Sequence, residues 1–306
     1  VIVALSGGIG GAKLALGLSR ILPPGELIVV ANVGDDFEHL GLAISPDIDT
    51  LTYTLAGLDN PELGWGRRDE SWAFMETLAA LGGASWFRLG DRDLALHALR
   101  TERLRAGEKL SAITADIAAR LGIVAQIVPA TDDTLRTQLL TGEGWMDFQP
   151  WFVGRRAAPA VRALRYVGAE SAVPAPGVAE AIARADAVVI CPSNPFISIE
   201  PILAVAGIRR ALELTRARVI AVTPIIAGRA VKGPTAKMME ELGMPPTASA
   251  VAQRYGTLID VFIADAADAG TLDGLACEVR FAPTLMTTLA EKEALARCVL
   301  RAAEQR

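Results

Sequence analysis

The sequence predicts an α/β fold: a doubly wound, mostly parallel sheet with a helical insertion after the second strand. Three observations carry that expectation. Short Val- and Ile-rich runs recur with helical segments between them, a glycine-rich turn follows the first run directly, and the alternation is interrupted after the second. The apolar runs are Val1–Leu5, Leu27–Val33, Ile123–Pro129, Ala187–Cys191, Arg218–Val222 and Val261–Ala264. Continuous rather than alternating apolarity marks strands covered on both faces, as in a parallel sheet. Strand, helix, strand in repetition implies right-handed crossovers and a Rossmann-like architecture, with ligands beyond the carboxyl ends of the strands.

The elements follow in order. After the first strand, Ser6-Gly7-Gly8-Ile9-Gly10-Gly11-Ala12-Lys13 leads into a helix pattern at Leu14, Leu16 and Leu18. Glycines there let backbone N–H groups at a helix N-terminus approach an anion, so Gly8, Gly10, Gly11 and Lys13 are candidates for holding a nucleotide phosphate. The dinucleotide pattern GxGxxG meets Lys13 where its third glycine belongs, and the Walker pattern fails at Ala12 and Leu14, which disfavours a hydride-transfer enzyme. The second strand delivers Asn32-Val33-Gly34-Asp35-Asp36, and Ser45-Pro46-Asp47-Ile48-Asp49-Thr50 follows. Four carboxylates at one strand end repel one another unless a cation intervenes, and Mg2+ suits them because it takes one or two carboxylates and leaves the rest to water and phosphate. The bland alternative is that Asp47 and Asp49 only cap the helix near Thr50.

Residues from about 57 to 121 form the helical insertion, within one domain spanning 1–306. In it, Arg88-Leu89-Gly90-Asp91-Arg92-Asp93 enters a helix, with Arg88 and Arg92 suited to gripping phosphate. A lone histidine, His97, is given no role. Ser111 is expected to cap a helix ending near Leu121 and Gly122, and Thr288 with Glu291 makes a capping box for the last helix. The aromatic segment Trp145–Val153 reads as an antiparallel strand whose rings are mostly core. Pro192-Ser193-Asn194-Pro195 offers a second anion- or base-binding turn through Ser193 and Asn194. Lys232 and Gly233 form a weaker basic loop.

Composition sets limits. A net charge of -5 with 30 scattered basic residues argues against nucleic acid. No apolar run reaches the ~20 residues a membrane helix needs, so no membrane association is expected, and the chain reads as cytoplasmic. Cys191, Cys277 and Cys298 lack metal-site spacing and read as packing residues.

Together these motifs resemble the 2-phospho-L-lactate transferases of coenzyme F-420 biosynthesis, the CofD/FbiA family. The resemblance rests on the glycine turn, Asn32–Asp36, Ser45–Thr50, Gly64-Trp65-Gly66, Leu89–Asp93, Pro192–Pro195, Ser198-Ile199 and Pro224-Ile225-Ile226, in order along the chain. It implies transfer of a phospho-three-carbon-acid unit, phospholactate or its phosphoenolpyruvate or phosphoglycerate equivalent, from a guanosine diphosphate donor. The acceptor implied is the terminal ribityl hydroxyl of the deazaflavin Fo, and GMP leaves. It further implies that Asp35 and Asp49 are catalytic and share the Mg2+, with Asp36 and Asp47 as further ligand candidates. Asp49, Arg88 and Arg92 would meet the deazaflavin, the glycine turn with Ser193 and Asn194 would meet the donor, and a homodimer is expected. The competing reading is a non-catalytic sugar-nucleotide-binding regulator of the gluconeogenesis-factor type.

Overall fold

The computed structural model describes residues 1–231 and 233–304; Lys232 lies outside the described residues. β1 (Ile2–Ser6) is buried at every residue, as a strand with helices over both faces must be. The chain then forms α1 (Gly8–Ile21) and β2 (Leu27–Ala31), followed by the small hairpin β3 (Phe37–His39) and β4 (Leu42–Ile44) and by α2 (Pro46–Leu55). The insertion supplies α3 (Ala73–Ala80), α4 (Asp91–Arg105) and α5 (Leu110–Arg120) before β5 (Gln126–Pro129) returns to the sheet. A small second cluster forms where the insertion meets the hairpin: Ile44 of β4 is buried with Met75 and Leu89, and Phe37, Trp72 and Phe87 pack around them.

Next come β6 (Arg136–Thr141), β7 (Gly144–Asp147) and β8 (Ala163–Val167), a separate antiparallel sheet in the order β7-β6-β8. The remaining elements are α6 (Val178–Arg184), β9 (Ala187–Ile190), α7 (Glu200–Ala204), α8 (Ala206–Leu214) and β10 (Arg218–Val222). After them come the ribbon β11 (Ile225–Ile226) and β12 (Arg229–Ala230), α9 (Thr235–Glu241), α10 (Ala248–Tyr255), β13 (Val261–Ala264), β14 (Glu278–Phe281) and α11 (Leu289–Glu304).

The central sheet has seven strands in the order β14-β13-β10-β9-β1-β2-β5, and every neighbouring pair is parallel. All six apolar runs of the sequence are strands of this sheet. The seventh, β14, has no continuous apolar run. It is an edge strand whose Glu278 pairs with Arg218 and Arg280, so charges occupy positions a covered strand would fill with Val or Ile. Because β1 lies between β2 and β9, the chain leaves it in one direction first and the other later, and the gap between the ends of β1 and β9 is the topological switch point.

Local chemistry explains the boundaries. Gly122 takes φ +69°, and Gly122 N and Ile123 N donate to Ala119 O and Ala118 O at 3.0 Å each, a Schellman closure. That closure claims Ile123 for the end of α5, so β5 starts only at Gln126. Ser111 is not the cap of α5. The cap position is Lys109, and Asp132 instead accepts from Ser111 N and Oγ at 2.7 Å each. The capping box of α11 is present, with Glu291 N donating to Thr288 Oγ1 at 3.2 Å and Thr288 N to Glu291 Oε2 at 2.7 Å. The aromatic segment divides: Trp145 is exposed on β7 beneath Arg165, while Trp151 is fully buried in a π-helical turn over Pro150–Gly154. Among the described residues no helix is long and apolar enough to cross a membrane.

Candidate functional site

At the switch point the turns after β1 and β9 lock together. Ser193 Oγ donates to Gly7 O at 2.7 Å and accepts from Gly7 N at 3.3 Å. The glycines are required by this fit. A Cβ on Gly10 would lie 2.3 Å from the backbone carbonyl of Pro192, and one on Gly11 would lie 2.3 Å from Ser6 Oγ and 2.5 Å from Ser193 Oγ. Gly8 has φ +62°, where a side chain is strained, and its N–H donates to Asp47 Oδ1 at 2.6 Å. Asn194 Oδ1 accepts from Phe196 N at 2.9 Å and Ile197 N at 3.3 Å, capping the π-helical turn Pro195–Ile199. Lys13 lies further along α1, and its Nζ donates to Met286 O at 2.7 Å.

Beside the turns, β2 ends in a buried carboxylate cluster. Asn32, fully buried, organises it: its Nδ2 lies 2.9 Å from Asp47 Oδ2, 3.0 Å from Ile197 O and 3.3 Å from Asp35 Oδ1, while its Oδ1 accepts from Gly34 N at 2.8 Å. Gln149 Nε2 reaches Asp35 Oδ2 at 3.2 Å, and Ser45 Oγ donates to Asp36 Oδ2 at 2.8 Å. Burial, then the charges of Asp47 and Asp36, push the Asp35 carboxyl well above the usual range. Burial pushes Asp36 up to about 7, against the opposing charge of Arg136, and Asp47 up to about 6, against the hydrogen bonds from Asn32 and Gly8.

Asp49 differs, because it has a cation of its own. Arg100, itself 2% exposed, meets it with both terminal nitrogens: Nη1 lies 3.1 Å from Oδ2, and Nη2 pairs with Oδ1. His97 stands alongside, its Nδ1 3.7 Å from Asp49 Oδ2 and its Nε2 3.1 Å from Asp93 Oδ2.

Four buried aspartates therefore share a site in which one is directly ion-paired, and Asp36 Oδ1 is buried without a hydrogen-bond partner among the described residues. Carboxylate oxygens are the donors a cation such as Mg2+ takes one or two at a time, leaving the rest of its shell to water and phosphate oxygens. Among the described residues no group of three or more Asp, Glu, His or Cys side chains is placed to hold a metal ion.

The Leu89–Asp93 motif ties two helices together. Glu70 accepts from Arg92 N at 2.7 Å and Asp93 N at 2.9 Å, at the start of α4. Asp91 in turn accepts from Ala73 N at 3.0 Å and Phe74 N at 3.1 Å, at the start of α3. A Cβ on Gly90 would fall 2.2 Å from the Glu70 carboxyl carbon, which accounts for that glycine. Arg88, just before α4, and Arg92, in its first turn, are exposed, and the Arg88 guanidinium lies over the Trp72 ring at 4.1 Å. Trp65 stands edge-on to Trp72 with ring centroids 6.3 Å apart.

Three participants escaped the sequence reading. Asn32 was visible in its motif, as the polar residue that ends an apolar strand, but carried no assigned role. Arg100 and Gln149 gave no local signal, since a charge in a polar helix and a glutamine beside aromatics look like surface.

The model of the 2-phospho-L-lactate transferase CofD family matches residues 2–276. A protein from Streptomyces griseus subsp. griseus named phosphoenolpyruvate transferase is 43% identical, covering 99% of this chain and 98% of its own. One of the same name from a Mycobacterium species is 39% identical over the same shares. Among solved structures, a UPF0052-family protein from Bacillus halodurans superposes with a TM-score of 0.61 at 16% identity, covering 98% of both chains, a likeness of fold.

Proposed function

The chain belongs to the 2-phospho-L-lactate transferase CofD family, and from that premise we propose that it moves a phosphoenolpyruvyl unit from a guanosine diphosphate donor to the deazaflavin Fo in coenzyme F-420 biosynthesis. The acid is taken as phosphoenolpyruvate because relatives at 39–43% identity carry that name. In the reaction the terminal ribityl oxygen attacks the phosphorus bearing the three-carbon acid, the bridging P–O bond breaks, and GMP leaves. The observation that carries the proposal is the carboxylate cluster at the switch point, beside two interlocked turns and the N-terminus of α1.

Transfer of this kind asks mainly for positioning and for charge compensation on the phosphate oxygens. Mg2+ held by Asp35 and Asp49, with Asp36 and Asp47 as further ligands, would neutralise charge on those oxygens. Asp49, with Asp35 beside it, orients the acceptor hydroxyl and takes up its proton. The α1 N-terminus at Gly10 and Gly11, with Lys13, supplies N–H groups and positive charge for the donor diphosphate, while Gly8, whose N–H is held by Asp47, shapes the turn. Ser193 and Asn194 keep the second turn rigid against it. Arg88 and Arg92 with the aromatic ledge of Trp72 and Trp65 suit a flat, extended ring such as a deazaflavin. The protein is further proposed to act in the cytoplasm as a homodimer.

The test offers purified protein Fo, Mg2+ and each of the three guanosine-linked acids in turn and compares kcat/KM. The phosphoenolpyruvyl donor should be used best, by about tenfold or more. A preference for the phospholactate donor would reassign the acid, and tight nucleotide binding with no turnover of any donor would favour the regulator reading.

A further inference from the structure

Behind Asp49 lies a polar ladder between α2 and α4 that the proposed chemistry does not use. Asp49 and Tyr53 are one turn apart on α2; Asp93, His97 and Arg100 follow one another at helical spacing on α4. The first rung is Arg100 on Asp49, and the second is the Tyr53 hydroxyl donating to Asp93 Oδ1. His97 stands between them: its Nδ1 lies 3.4 Å from Arg100 Nη1, which can only donate, so Nδ1 accepts, and its Nε2 lies 3.1 Å from Asp93 Oδ2 without hydrogen-bond geometry. Arg100 Nη1 also donates to Ala43 O at 3.3 Å, and Thr101 Oγ1 accepts from Ala43 N at 2.8 Å, which pins α4 to the edge of β4.

Such a ladder is a poor way to stabilise a fold, because both members of a buried ion pair must be stripped of water and a well-packed apolar pair often does as well. It is a good way to fix geometry. A planar guanidinium gripping both oxygens defines the plane of a carboxylate, and His97 fixes the guanidinium from its flank.

We propose that Arg100 and His97 are positioning residues: they set the orientation of the Asp49 carboxylate toward the acceptor hydroxyl, and so act on the transfer entirely through Asp49. This rests on the reading that Asp49 works at the reacting centre. It makes a demand that a merely structural role does not, namely that the ladder loses its kinetic value once Asp49 is gone.

The experiment is a double-mutant cycle of Asp49→Asn and Arg100→Lys, read as kcat and KM for both substrates, together with the fluorescence-detected Kd for Fo. Lysine keeps the positive charge but not the fork. Arg100→Lys should slow transfer roughly thirtyfold and weaken Fo binding about tenfold, leaving the donor KM within about twofold; the double variant should stay within about threefold of Asp49→Asn alone. Should Arg100→Lys fold poorly, His97→Gln takes its place, with roughly a tenfold loss expected and the same absence of effect in the Asp49→Asn background. Losses that multiply in the double variant, or an Arg100→Lys protein as fast as wild type, would overturn the inference while leaving Asp49 at the centre. A fully active Asp49→Asn protein would instead remove Asp49 from the chemistry and the ladder's role with it.

Discussion

The carboxylate cluster makes stability fall as the pH rises, the reverse of what paired surface acids do. In the unfolded chain Asp36 and Asp47 ionise near the ordinary carboxylate value, whereas folding raises them to about 7 and about 6. A group raised on folding contributes stability that is complete below its unfolded value and is lost as the pH climbs through its folded value. Between about pH 5.5 and about pH 7.5 the unfolded state has already released both protons while the folded state still has roughly two to release. At 1.36 kcal/mol for each pH unit over which a proton is held, that is about 3 kcal/mol of stability lost. For a chain of 306 residues, whose unfolding entropy is roughly 0.6 kcal/mol/K, the melting temperature should drop by about 4 °C. Asp35 adds to the same trend, its carboxyl being raised too. A divalent cation favours the ionised cluster, so millimolar Mg2+ should restore most of the loss at about pH 7.5 and do little at about pH 5.5. Differential scanning fluorimetry of chelated and Mg2+-loaded protein across this range is the assay. A melting temperature that holds or rises with pH in chelator, or equal Mg2+ stabilisation at both ends, would refute the reasoning.

Asp49→Asn should slow transfer about a hundredfold, roughly 3 kcal/mol of transition-state stabilisation. It should also destabilise the fold by about 3 kcal/mol, because Arg100 is left buried without its partner's charge; urea titration and turnover on one preparation measure both. Arg88→Ala should weaken Fo binding about tenfold and leave donor binding nearly unchanged, since Arg88 lies on the Trp72 ledge rather than at the glycine turn; equal losses for both in calorimetry would contradict that placement. Gly10→Ala should cost about 2 kcal/mol by pushing the Pro192 turn away, and it should lower donor affinity with it; an unchanged melting temperature would show that the turns part easily.

The sheet was legible because its inner strands are apolar on both faces. β1, β2, β9, β10 and β13 carry unbroken runs that periodicity can find, and β14 escaped because it is an edge strand held by Arg218, Glu278 and Arg280. The cluster Asp35, Asp36, Asp47 and Asp49 could be named from sequence because its members are local, within fifteen residues. What each does there could not be read, since that depends on residues far along the chain. Asp47 looks like a helix cap but accepts Gly8 N from the neighbouring turn, and Asp49 looks like its twin but is held by Arg100. Gly10 and Gly11 advertised a phosphate turn, yet their immediate need is the close approach of Pro192 and Ser193. His97 carried no signal as a lone histidine, and only the meeting of α2 with α4 places it between Asp49 and Asp93.

The central claim is that these residues serve a transfer and not merely the binding of a nucleotide. Incubating the purified protein with Mg2+, Fo and the guanosine-linked phosphoenolpyruvyl donor, and following both products by mass spectrometry, tests it directly. One GMP should be released for each Fo that gains the phosphoenolpyruvyl group, with the reaction stopped by chelator. Donor that binds but is recovered intact, with Fo unmodified, would contradict it.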